Sequence, residues 1–158
     1  MRKRIVCQTA NQSQPLSAGT WLNLEQIVTV ELTSEDPKFP IESVFDGNSQ
    51  LGWRALEKGN QQIRLILDQP ISVRRIRLRF VETEVARTQE FTLKWSSMQS
   101  GHAREIVRQQ WNFSPAGSTT EVEEYETNLD GVAVLELAIQ PDLEGGGAKA
   151  TLAEWRIG

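Results

Sequence analysis

The 158 residues are enough for one domain that buries a full core without a disulfide or metal staple. With 39% hydrophobic residues, 24% charged residues and a formal net charge of −4, the composition is globular. It excludes a general nucleic-acid binder, which needs a basic surface to neutralise phosphates. Cys7 is the single cysteine, so no intrachain disulfide forms. The start Met1-Arg-Lys-Arg-Ile-Val-Cys lacks the apolar run of a secretory signal, and no stretch approaches a membrane span, so a cytoplasmic location is expected.

In chain order, Val28, Val30 and Leu32 alternate with Thr29 and Glu31, the period of two that marks a half-buried strand. A short helical turn is expected around 41–45 or within 85–90. Ile63, Leu65 and Leu67 alternate next, followed by Ile76, Leu78 and Phe80 between Arg75, Arg77 and Arg79. Phe91, Leu93 and Trp95 form a further run; Val107, Trp111 and Phe113 share one parity, as do Leu135, Leu137 and Ile139. Residues 151–157 read as a closing strand. Turn chemistry at Asp46-Gly47-Asn48, Lys58-Gly59-Asn60, Gln69-Pro70, Ser114-Pro115-Ala116-Gly117, Asp130-Gly131 and Gly145-Gly146-Gly147 separates these runs. Many short strands with frequent turns, no repeat and no linker predict one all-β sandwich or barrel.

Trp95 and Trp155 continue apolar parities and are expected in the core, whereas Trp111 sits beside a loop and is left open. The row Arg75, Arg77 and Arg79 is expected to pair across strands with Glu121, Glu123, Glu124 and Glu126 rather than to bind an anion. One histidine, His102, and one cysteine cannot supply a zinc ligand set, and no nucleophile motif surrounds His102. No enzyme is expected.

The stretch Glu42-Ser43-Val44-Phe45-Asp46-Gly47-Asn48, followed by Gly52-Trp53-Arg54-Ala55, resembles the opening of coagulation factor type C (discoidin-like) domains of the galactose-binding superfamily. Gln61 to Asp68, Ile71 to Phe80, Phe91 to Ser96 and the ending Ala150 to Gly158 resemble that family's later strands in the same order. The resemblance implies an all-β jelly-roll sandwich of two antiparallel sheets, with 33–158 as the family-like core and 1–32 as added N-terminal strands. Residues 108–115 have no counterpart in the family pattern.

What the resemblance implies about ligands is more specific. Carbohydrate-binding members hold a structural Ca²⁺ near the Asp-Gly-Asn turn; carried over, its ligands here are Asp46, Asn48 and Glu154, with backbone oxygens near Val44, Asn48 and Ala153. The alternative is that Asp46 caps its turn and Glu154 pairs with Arg54 or Arg156. For the ligand itself the candidates are Phe39, Arg87 and Glu84, with an ion pair from Arg87 to Glu84 or Glu90 as the alternative. The expected function is a non-catalytic module that binds carbohydrate through loops at one end of the sandwich. The alternative partner is a protein, bound by a scaffolding domain of the same fold.

Overall fold

The computed structural model describes residues 21–46 and 52–158. Its strands are β1 (Val28–Leu32), β2 (Trp53–Arg54), β3 (Gln61–Val81), β4 (Arg87–Ser97), β5 (Arg104–Phe113), β6 (Thr120–Gln140), β7 (Thr151–Leu152) and β8 (Glu154–Ile157). Short 3-10 turns at Leu24–Gln26 and Ile41–Val44 complete the elements, the second where a helical turn was expected. None of the described helices is long and apolar enough to cross a membrane.

All pairings are antiparallel, and two antiparallel layers make a jelly-roll sandwich. β3 and β6 are 21 residues each because both run through the two layers. In the first layer, the start of β3 lies between β1 and the end of β6, with β4 and then β5 beyond. In the second, the end of β3 lies between β8 and the start of β6. Register shifts between Ile66 and Arg75 mark the passage from one layer to the other. Gln69-Pro70 and Asp130-Gly131, which read as turns in the sequence, fall in this bent ribbon instead. Proline is tolerated there because a bulge needs no ladder N–H, and Gly131 supplies a φ of 69°.

Alternation then fills the space between layers. Ile63, Leu65, Ile76, Leu78, Phe80, Phe91, Leu93, Leu135, Leu137, Trp155 and Ile157 are all 0% exposed. Phe80 of one layer and Phe91 of the other stack with ring centroids 5.1 Å apart. A buried Trp155 removes about 150–250 Å² from water, worth roughly 4–6 kcal/mol at about 25 cal/mol per Å². Trp95 departs from expectation. It is half-buried beyond a register shift between Leu93 and Lys94, with the Arg104 guanidinium 5.5 Å from its ring centroid. Trp53 takes the core place instead, 0% exposed and donating its indole N–H to the Ser34 carbonyl at 3.1 Å.

The arginine row is paired, though not as a simple ladder. Arg77 bridges Glu124 on β6 and Glu154 on β8; Arg79 also reaches Glu154, at 3.3 Å, and Arg75 lies over the Trp21 ring at 3.9 Å. Glu121 and Glu123 take no part in the row, because their register partners Phe80 and Leu78 face the interior.

The connections 33–40, 55–60, 82–86, 114–119 and 141–150 meet at one end of the sandwich. The Glu82 N–H donates to the Thr119 carbonyl at 2.9 Å, Leu143 N–H to Thr88 at 2.8 Å, and Gly59 N–H to Ala148 at 3.2 Å. Leu56 N–H donates to the Ser34 hydroxyl at 3.1 Å. Gly52, at φ +66°, lets β2 close on β7: a Cβ there would lie 2.3 Å from the Leu152 carbonyl oxygen.

Candidate binding site

The loop end rests on buried polar side chains, and Arg87 organises them. It opens β4 with the parity of Phe91 and Leu93, so its side chain turns inward and is 4% exposed. Its Nε donates to Glu82 Oε1 at 2.8 Å, and one terminal nitrogen donates to Gln89 Oε1 at 3.0 Å and to the Pro141 carbonyl at 2.8 Å. The other terminal nitrogen reaches the Thr151 hydroxyl at 3.4 Å, and that hydroxyl donates to the Val81 carbonyl at 2.9 Å. The guanidinium plane lies 4.7 Å from the Phe113 ring centroid, which pins the end of β5. One cation thus ties the connections 82–86 and 141–150 to β4, β5 and β7.

Two carboxyls in this floor behave oppositely. Burial alone would raise Glu82, but the Glu84 and Val85 N–H groups and the Arg87 guanidinium outweigh it and hold the carboxyl below its ordinary range. Glu121 accepts one hydrogen bond, from Gln89 Nε2 at 3.1 Å, and among the described residues its second oxygen is buried with no hydrogen-bond donor. Burial, reinforced by neighbouring Glu123, pushes it up to about 9, so it carries a proton at neutral pH.

Above this floor β5 forms the wall of a recess of about 400 Å³, lined by Gln110, Trp111, Asn112 and Ser118. Register places Trp111 opposite Gln89 and Asn112 opposite Thr88, so the floor sets where both stand. The Asn112 carbonyl accepts from the Thr88 hydroxyl at 2.7 Å, which turns its amide NH₂ away from that bond. Gln110 donates to Glu90 at 3.1 Å and keeps its carbonyl oxygen as an acceptor. Trp111 follows Gln89 on the inward face, half-buried with its indole N–H covered, while Gln110 and Asn112 alternate to the outer face. These three and Ser118 line the recess at the sheet edge, and none is charged. Gln110, Trp111 and Asn112 lie in the 108–115 segment that matches no family pattern, and Ser118 follows just after it. The available signals were that unplaced insertion and a tryptophan parity running up to a loop.

Of the ligand candidates read from sequence, Glu84 is exposed at the tip of 82–86, and Phe39 is half-buried beneath the Arg54 guanidinium, 4.8 Å from its ring centroid. Both belong to the loop end. Arg87 does not face a ligand; it is inside the protein, and its ion-pair partner is Glu82 rather than Glu84 or Glu90.

The calcium expectation meets a specific obstacle. Glu154 has one oxygen shared by Arg77 Nε at 3.2 Å and Arg79 Nε at 3.3 Å, and the other held by Arg156 Nε at 3.0 Å. Burial would raise this carboxyl, yet the arginines hold it below its ordinary range. A carboxylate already enclosed by three cations does not fit a Ca²⁺ ligand, so the Glu154 assignment is corrected to the ion pair with Arg156 and its neighbours. Asp46 is exposed after the 3-10 turn, and Asn48 lies outside the described residues. Among the described residues no group of three His, Cys, Asp or Glu side chains is placed to hold a metal.

No family model matches the sequence, and no curated protein matches it. Solved structures do match. A family 32 carbohydrate-binding module from C. perfringens NanJ, in complex with galactose, aligns over 87% of this chain and 96% of its own, at 17% identity and TM-score 0.60. A second such module from Clostridium perfringens, in complex with GalNAc-β-1,3-galactose, covers 87% and 99%, at 17% identity and TM-score 0.62. The fold is that of the discoidin-like galactose-binding domains. The same architecture serves other ends: reduced XRCC1 bound to the DNA pol beta catalytic domain aligns over 84% of this chain and 94% of its own, at 12% identity and TM-score 0.58. At these identities the likeness concerns the fold, and function has to be argued from the site.

Proposed function

We propose that this chain is a non-catalytic carbohydrate-binding module whose ligand sits in the loop-end recess against Trp111. The observation that carries the reading is the company Trp111 keeps: an aromatic face for the apolar side of a sugar ring, with Gln110, Asn112 and Ser118 for its hydroxyls. Its uncharged lining favours a neutral sugar over an acidic one. A shallow, open site of this kind gives a Kd of about 10 μM to 1 mM, roughly −7 to −4 kcal/mol. The buried Arg87 floor contributes by fixing β5 and the loops before ligand arrives, which lowers the ordering cost of binding. Phe39 and Glu84 stand on neighbouring loops and would meet the outer residues of a longer glycan.

Calorimetric titration with galactose, GalNAc-β-1,3-galactose and neutral oligosaccharides of other configuration tests this. At least one sugar is expected to bind, and Trp111→Ala to weaken it tenfold or more while the variant stays folded, with a stability loss of about 1–2 kcal/mol for the half-buried ring. A sugar that binds Trp111→Ala as well as the wild type would move the site elsewhere, and a panel with no binder would overturn the reading.

A further inference from the structure

β1 forms the edge of the larger sheet, across from β5 and its recess. Its ladder to β3 runs through residues 27, 29, 31 and 33: Asp68 N–H donates to the Ile27 carbonyl at 2.8 Å, and Thr33 N–H to Gln62 at 3.1 Å. Hydrogen-bonded positions alternate along an antiparallel strand. The N–H and C=O groups of Val28, Val30 and Leu32 therefore point the other way, to a side where no strand pairs among the described residues. Side chains of the same three residues line a groove of about 390 Å³, completed by Ile41 and Phe45 and rimmed by Glu25, Glu35 and Glu42. Glu35 is committed to the wall, accepting the Ile41 N–H at 2.7 Å, while Glu25 and Glu42 are exposed. Glu31 points to the opposite face, paired with Arg64 at 2.7 Å. Among the described residues no cation lines the groove.

Sheet edges are normally protected by lysine, proline or a bulge, and the strand Val-Thr-Val-Glu-Leu has none of these. Backbone donors and acceptors, apolar pockets at every second residue and a one-signed rim coincide on one edge. We propose that β1 takes up an extended segment of a partner protein, apolar at alternate positions and flanked by basic residues. The added strand pairs with the free groups of Val28, Val30 and Leu32, its apolar side chains enter the groove, and its basic flanks meet Glu25 and Glu42. This surface lies on the opposite sheet edge from the recess, so the two can be occupied together.

The probe is a fluorescent peptide, Lys-Arg-Val-Thr-Ile-Thr-Val-Arg-Lys, titrated with the full chain by anisotropy and compared with the same peptide flanked by glutamates. Saturable binding of the basic peptide is expected, at least tenfold tighter than the acidic one and weakening with salt. Val30→Pro removes an N–H that faces the open edge while leaving the β3 ladder intact, and should weaken binding tenfold or more. Should that variant fail to fold, the pair Glu25→Lys and Glu42→Lys, at exposed positions, should produce a similar loss and abolish the salt dependence. Trp111→Ala should leave peptide affinity unchanged. No binding to the wild type, equal binding of both peptides, or undiminished binding by either edge variant would overturn the proposal.

Discussion

Around Trp155, the inward neighbours Ile76, Leu78, Phe80 and Ile157 are apolar and fully buried. Beneath the loop end, at similar depth, Glu82, Arg87, Gln89 and Glu121 take the equivalent inward places. The first region is held by volume: any shape-filling apolar side chain serves, and loss follows the methylenes removed. The second is held by partnering, and each donor or acceptor matters because its neighbours are left buried and unpaired when it goes. The middle of the sandwich supplies stability, while the polar floor fixes where the loops and β5 stand.

The largest expected effects separate these regions by kind rather than size. Trp155→Ala should cost about 3–5 kcal/mol through the cavity it leaves, read from the denaturation midpoint. Arg87→Ala should cost a comparable 3–5 kcal/mol, because it strands Glu82, Gln89 and the Pro141 carbonyl. Adding Glu82→Leu to Arg87→Met should recover part of that loss, a coupling that Trp155 variants would not show. A cost below about 1 kcal/mol for Arg87→Ala would mean that water replaces its partners and the floor does not organise the loops.

A second contrast is with pH. Glu121 has a folded-state value of about 9 against an ordinary 4.5, so the native protein holds a proton that the unfolded chain releases. Its contribution is complete below the ordinary value and declines as pH rises towards 9, by up to about 1.4 kcal/mol per unit. Glu82 and Glu154, both depressed, act in reverse and lose their contribution as pH falls through their folded values. Glu121→Gln keeps a neutral amide in place and should flatten the decline between about 5 and 9 in urea melts. An unchanged slope would show that Glu121 is ionised at neutral pH. Smallest is Trp95→Ala, expected to cost only about 1–2 kcal/mol because half the ring is already in water.

The apolar half of this comparison was legible in the sequence. Strands with a buried face repeat every second residue, so Ile63, Leu78 and Leu137 announced themselves. Trp95 keeps that count, opposite Leu135 on β6, but it packs on the core where β5 carries its extra residue and is only half-buried. The polar half was hidden by its own chemistry. Counting back from Phe91 places Gln89 and Arg87 on the inward face, but Glu-Thr-Glu-Val-Ala-Arg reads as a solvated loop unless a partner for the guanidinium is already known. Glu121 was harder still: it keeps the inward parity of Leu135, but with Glu123, Glu124 and Glu126 beside it the segment reads as a solvated acidic strand. Trp111, Asn112 and Ser118 come together only because the turn joined by Ser114 and Ser118 folds back on the end of β5, a contact between positions that no periodicity links.

The central claim is that the loop end, shaped by its polar floor, is the binding surface. It is tested most directly by amide and indole NMR shifts of the wild-type protein during titration with the best-binding neutral sugar. Saturable shifts confined to Gln110, Trp111, Asn112, Ser118 and the adjoining loops are the predicted result. Shifts centred on the bend of β3 and β6, or on no single region, would contradict it.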